Sequence, residues 1–232
     1  HIPLLLVGQT SQFVPQQHVY SVALTGLTQF ECAELLAGLN VQLAQADLAQ
    51  LYVITHGNPG MIVLFGLLIR YHKTTQQFVE PSQLIRQMHH RSPFDVLYQR
   101  IWRCLTPNQQ TLAMYLSVFE SEAPQDCLSE ISEMPQHEIN SNYALLQALG
   151  VIQINTNQHI VFLSGSQNFI RQKILGAHQA AMHRCAARVY EVRARFTDAA
   201  YHLIQAQQVA EAFVLWDIHQ QAELRLGNRD RA

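Results

Sequence analysis

Charge is scarce in this 232-residue chain: Asp, Glu, Lys and Arg together supply 14% of it, where ordinary globular domains carry about a quarter. The formal net charge is −2, so no global basic field draws the chain onto nucleic acid. Paired cysteines are missing as well. Cys32, Cys104, Cys127 and Cys185 stand far apart with no C-x-x-C, so neither a zinc knuckle nor a thioredoxin-like site is suggested. The expectation is a reduced, cytoplasmic protein with buried thiols. Long apolar runs are absent: the longest, Met61 to Ile69, has nine residues, and a bilayer needs about 20. The opening His1-Ile2-Pro3-Leu4-Leu5-Leu6-Val7 has neither a basic n-region nor a small-residue cleavage site, so it does not read as a convincing signal peptide. It also lacks an initiator Met, which reads as a fragment or a processed piece. No G-x-x-x-x-G-K-[ST] occurs, no apolar strand ends in paired acids, and no H-E-x-x-H appears. What the chain does have is 48% apolar residues. That supports a sizeable core and excludes whole-chain disorder. Scattered Gln, 28 in all, takes over much of the surface role that charges usually fill.

Residues 2 to 7 are continuously apolar and end in Gly8-Gln9-Thr10-Ser11; Val19 to Leu24 ends at Thr25-Gly26. Both read as strands buried on two faces. Two such strands need sheet neighbours from elsewhere. From Thr28 the pattern turns helical, with Phe30, Ala33, Leu35-Leu36, Leu39 and Leu43 at three-to-four spacing. A second helix is expected over Ala46 to Thr55 and a third over Gly60 to Tyr71, separated by the stop-and-restart signal Thr55-His56-Gly57-Asn58-Pro59-Gly60. Lys73 to Pro81 reads as a polar connector. Pro93 to Leu105 is amphipathic, with Phe94, Leu97, Ile101 and Leu105 on one face. Thr106-Pro107-Asn108-Gln109 then has the form of a helix start: an N-cap, a first-position Pro and a Gln to close the capping box. The helix it opens should turn Leu112, Tyr115, Leu116 and Phe119 inward. A shorter helix is expected after Pro124, and another after Pro135 with Ile139, Tyr143, Leu146 and Leu149 as its stripe and Gly150 as its end. Val151 to Ile154 and His159 to Leu163, around Asn155-Thr156-Asn157-Gln158, give a β-hairpin signal. Three helices and a hairpin is the layout of a winged helix. The rest, Gln167 to Leu226, reads as helical: an Ala-rich stretch to Tyr190, then Thr197 to Ala206 and Val209 to Leu224 as a pair. Small residues there let the two helices approach closely, as in helical repeats.

Three segments, in this order, resemble the STAND class of P-loop signalling ATPases, most closely the large LuxR-type bacterial regulators. Leu4-Leu5-Leu6-Val7 with Leu24-Thr25-Gly26-Leu27-Thr28, Glu31 and Leu35-Leu36 is similar to the last strands of the ATPase core and the start of its lid. Thr55-His56-Gly57-Asn58-Pro59 is similar to the lid motif whose Pro packs against nucleotide. Asp198-Ala199-Ala200-Tyr201-His202-Leu203-Ile204-Gln205-Ala206, followed by Ala210-Glu211-Ala212, is similar to the opening of the family's helical-repeat sensor. The resemblance implies a mainly α fold: a remnant of an α/β P-loop core over residues 1–25, a helical lid over 26–92, a winged helix over 93–166 and TPR-like repeats over 167–232. It implies nucleotide contacts by Gly57, Asn58, Pro59, Gln9, Thr10 and Ser164, with ATP or ADP held only together with an upstream phosphate loop. Its implied partners are the remainder of the ATPase core and a ligand or protein on the repeats. The chain departs from the family in two places. Gly8-Gln9-Thr10 stands where an Arg often senses phosphate, and Ser164 follows Leu163 where many members carry a His.

Read for chemistry, the chain should not hydrolyse ATP alone, because it has no phosphate cradle and no metal-binding acid. DNA contact by the winged helix is not expected. Gln136 to Leu149 and Val151 to Leu163 contain no Lys or Arg, and Asn140 and Asn142 have no cations to support them. Arg171, Lys173, Arg184, Arg188, Arg193 and Arg195 read as a solvated face or an inter-domain contact. The 12 His show no convergent metal spacing, and neither His137-Glu138 nor Ser164-Gly165-Ser166 shows a third partner for a hydrolase triad. The expected function is a regulatory module of a nucleotide-dependent switch, part of a transcriptional regulator. The alternatives are a protein-interaction scaffold without nucleotide and a DNA-binding winged-helix protein.

Overall fold

Four helices open on proline, and this fixes much of the architecture. The computed structural model describes residues 25–75, 79–119, 123–124, 127, 135–163 and 165–225. The strands expected within residues 1–24, and most of the helix expected after Pro124, lie outside them. The described chain is mainly helical. Its elements are α1 (Gln29–Gly38), α2 (Gln45–Thr55), α3 (Pro59–Thr74), α4 (Pro81–His89), α5 (Pro93–Cys104), α6 (Pro107–Ser117), β1 (Ala123–Pro124), α7 (Gln136–Ala148), β2 (Ile152–Ile154), β3 (His159–Phe162), α8 (Ser166–Arg171), α9 (Gly176–Val192), α10 (Phe196–Gln205) and α11 (Val209–Arg225). Proline suits the first helical position because its φ is preset and the N–H it lacks would have no helical partner there. Pro59, Pro81, Pro93 and Pro107 all occupy that end.

Side chains complete the starts. Thr28 accepts from the Glu31 amide while Glu31 Oε2 accepts from the Thr28 amide at 2.7 Å, a full capping box on α1. Those same bonds from Thr28 hold the Glu31 carboxyl below its usual range. Thr106 and Gln109 build the same box on α6, as the sequence predicts. The connector expected from Lys73 to Pro81 is shorter than that: α3 continues through Thr74. The Thr74 and Thr75 hydroxyls donate back to the Tyr71 carbonyl at 2.7 and 3.0 Å and close the helix there.

From α1 to α5, alternate helices pack together as closely as consecutive ones. α3 lies against α1, α2 and α5, and α4 lies against α2 and α5. α3 is the central element, with Ile62, Leu64, Phe65, Leu67, Leu68 and Ile69 all buried. On α1, Cys32 and Leu36 carry the burial, while Phe30 stands 72% exposed and does not join the apolar face expected of it. The stripes predicted for α5, α6 and α7 face inward at Leu97, Ile101, Leu112, Leu116, Ile139, Tyr143 and Leu146; Tyr115 is half-buried. α7 ends at Gly150, whose φ of +67° suits glycine, with the Val151 amide closing back onto the Leu146 carbonyl at 2.9 Å. One continuous apolar cluster runs from Cys32 through α3, α5, α6 and α7 to Ala199 on α10. The cysteines are free thiols; Cys32 and Cys127 are buried, Cys104 and Cys185 half-buried.

The sheet has the order β1-β3-β2 and is antiparallel throughout. Its hairpin pairs Ile152 with Phe162 and Ile154 with Ile160. Asn155 Oδ1 shapes the loop by accepting from the Asn157 and His159 amides at 3.0 and 2.9 Å. β1 was not anticipated. Its Pro124 sits on an edge strand, where the missing N–H costs no ladder bond. Two side chains of α8 tie this unit to α6: Gln167 Nε2 and the Arg171 guanidinium donate to the carbonyls of Ser117, Val118 and Phe119. Beyond it, α9, α10 and α11 pack successively, with Ala199, Ala206 and Ala212 buried at the close approaches. Among the described residues no helix is long and apolar enough to cross a membrane.

Candidate functional site

The chain enters α1 by crossing the loop between α2 and α3 backbone to backbone. α2 is terminated by two left-handed residues, His56 at φ +49° and Gly57 at φ +70°. The Leu27 amide donates to the Gly57 carbonyl at 2.8 Å. A Cβ on Gly57 would collide with the Leu27 backbone, and one on Gly26 would collide with the His56 carbonyl. Glycine at both positions is therefore what allows the two segments to touch. The Asn58 amide donates to the Thr55 carbonyl at 2.9 Å, and Asn58 Oδ1 accepts from the Met61 amide at 3.1 Å. Thr55 is itself fixed by its hydroxyl on the Leu51 carbonyl.

These bonds define the backbone of the α2–α3 loop from Thr55 to Met61. Gly57 is buried, Asn58 half-buried, and Pro59 and Gly60 are exposed at the first turn of α3. A pre-set apolar ring and the electropositive end of a 16-residue helix face outward together. Gly57, Asn58 and Pro59 are thus brought together; Gln9, Thr10 and Ser164 lie outside the described residues.

No family model matches the chain, and no curated protein sequence matches it.

Within the three-helix-and-hairpin unit over α5 to β3, the part from α7 to β3 carries no Lys or Arg. Of the two Asn considered as base readers on α7, Asn142 is buried and its Oδ1 accepts from Gln109 Nε2 at 3.2 Å, so it serves α6–α7 packing. Asn140 is exposed. The later basic residues are mostly in use within the fold. Arg171 holds the end of α6, Arg195 pairs with Asp198 at 2.6 Å and lies over the Tyr190 ring, and Lys173 lies over Phe169. Burial pushes the Cys32 and Cys104 thiols up, the opposite of what a nucleophilic thiolate needs. Burial likewise raises the Tyr98 hydroxyl to about 12.

One polar cluster escaped sequence reasoning. His183 on α9 and His202 on α10 are both buried, with their Nδ1 atoms 2.9 Å apart. His202 stacks on Tyr190 and meets Phe119, 5.4 and 5.9 Å between centroids. Burial, followed by the charges of His183, Arg171 and Arg195, pushes His202 down to about 3. The signal was present, since His202 falls on the inward stripe between Ala199 and Ala206; its partner on another helix was not visible in the spacing.

Proposed function

We propose that the chain is the regulatory part of a nucleotide-dependent signalling switch of the STAND type, within a bacterial transcriptional regulator. In this reading α1 to α4 form the lid, α5 to β3 the winged helix, and α9 to α11 the start of TPR-like repeats. Nucleotide sits against Pro59, with the ATPase core supplying the phosphate loop. A ligand at the repeats shifts closed toward open. The observation that carries the reading is the Gly26–Gly57 crossing: it fixes Asn58 and Pro59 beside the point where the N-terminal segment enters the helices. The chain by itself turns over no ATP.

The test is ADP affinity of the complete reading frame by calorimetry. Pro59→Ala should weaken it about tenfold, the loss of one small apolar contact. Unchanged affinity would remove Pro59 from the site. A reading frame without an upstream glycine-rich loop and its Lys would hand the case to the second reading, a protein-interaction scaffold. What favours that reading is the open face of α11, where Val209, Phe213, Val214 and Ile218 are 58–73% exposed.

A further inference from the structure

Between His56 and Phe119 six cations, Arg70, Lys73, Arg86, Arg91, Arg100 and Arg103, face only two acids, Glu80 and Asp95, in a chain whose net charge is −2. The fold concentrates half of these cations further. Arg91 in the α4–α5 turn and Arg100 and Arg103 on α5 line one groove of about 370 Å³, with Gln87 of α4, His90 just past its end and the buried Val96 in its wall. Arg100 is half-buried and already oriented, its Nη2 donating to Gln87 Oε1 at 3.0 Å. No described carboxylate forms an ion pair with Arg91, Arg100 or Arg103. Asp95 is not among the residues that line the groove, and one turn on from it the lining residue is the neutral Gln99.

Three like charges gathered into one concavity repel each other, and an oxyanion offsets that repulsion while matching the guanidinium fork. Across His90, which lines both, lies a second groove of about 440 Å³. Ala49, Val53 and Ile54 of α2 supply its apolar wall, with Arg86 and His89 at its edge. Val53 is 60% exposed there. A charged groove and an apolar groove meeting at one imidazole suit a ligand with the same division.

We infer that this double groove binds a small phosphate monoester, its phosphate on Arg91, Arg100 and Arg103 and its apolar or aromatic body against Val53 and Ile54. Neither Gly57, Asn58 nor Pro59 lines either groove, so the site stands apart from the proposed nucleotide contact. Its size, a few hundred Å³ in each part, is that of a small-molecule site.

The test is calorimetry on the 232-residue chain with 1-naphthyl phosphate, inorganic phosphate and 1-naphthol as probes. 1-Naphthyl phosphate should bind saturably, one per chain, at least about tenfold tighter than inorganic phosphate. Arg100→Ala and Arg103→Ala should each weaken both phosphates by about tenfold or more, the loss of a charge-assisted contact. Arg103→Lys, which keeps the charge and the fold but loses the fork, should fall between. Val53→Ser should weaken only the naphthyl ester. Pro59→Ala should change neither, which separates failure here from failure of the nucleotide reading. Absence of saturable binding, binding indifferent to the arginine variants, or equal affinity for the ester and inorganic phosphate would each overturn the inference. Displacement of the ester by duplex DNA of arbitrary sequence, combined with that equal affinity, would overturn it in favour of a nucleic-acid backbone.

Discussion

Two neighbouring regions of this molecule share a core and differ in surface chemistry. The helices from α3 to α6 and the unit from α7 to β3 share a core: Leu64 and Leu67 of α3 approach Gly150 at the end of α7, and Gln109 of α6 bonds Asn142. Yet residues 56–119 carry six cations against two acids, while residues 135–163 carry no Lys or Arg and one acid, Glu138. The stretch from α7 to β3 has no cations, and three of the six cations of the other region collect in a groove between α4 and α5. Architecture and chemistry are decided by different residues, the first by buried stripes and caps, the second by which exposed positions converge.

The largest expected effect tests the shared core. Leu97→Ala on α5 and Leu146→Ala on α7, both fully buried, should each cost about 2–5 kcal/mol, and each variant should still unfold in a single transition. Two separated transitions in denaturant would show that the regions hold independent cores. Gly57→Ala comes next. Its left-handed backbone and the contact with Leu27 should cost about 1–3 kcal/mol, measurable as a lower urea midpoint at unchanged slope. A variant as stable as the parent would show that the crossing gives way easily.

Acid offers a third way to separate parts of the molecule. His202 is held at about 3 in the fold against an ordinary value near 6.5. Below about 6.5 the unfolded chain binds a proton that the folded chain refuses, so stability present at neutral pH is lost as pH falls toward 3. The slope should approach about 1.4 kcal/mol per pH unit for one proton. Denaturation at pH 7 and pH 5 should show the difference in the parent and a smaller one in His202→Phe. Equal pH dependence in the two proteins would assign the acid response to other groups. Smaller still are the caps: Thr28→Ala and Thr106→Ala should each cost about 1 kcal/mol, read as a shifted melting temperature. At the bottom of the scale, Arg91→Ala should change stability by less than about 0.5 kcal/mol. A larger loss would mean that the basic groove serves the fold.

Much of the helical framework was legible because its signals are local. Thr106-Pro107-Asn108-Gln109, Asn58-Pro59 and the stripe from Ile139 to Leu149 lie within one or two turns of the structure they specify. α4 was missed because its nine residues include Ser, two Gln, Arg and His, leaving Leu84, Ile85 and Met88 as a thin stripe. β1 was missed because two residues pair with a strand 35 positions away, and pairing at that range leaves no periodicity. The candidate site divides the same way. Gly57, Asn58 and Pro59 were legible as punctuation of the chain. The crossing by Gly26 and Leu27 depends on a contact about 30 residues apart. The arginine groove needs the relative rotation of α4 and α5, and the His183–His202 contact needs that of α9 and α10; neither rotation is written in spacing.

The clasp of α8 on α6 has a mechanical consequence. Gln167 and Arg171 grip three successive carbonyls at the end of α6, so α8 cannot slip by a residue without breaking every bond at once. Five hydrogen bonds therefore tie the two helices together. Only residues 172–175 separate Arg171 from the start of α9. Removing either side chain would leave carbonyls at the end of α6 without these donors, so the seating of α8 and the last turn of α6 are one structural feature.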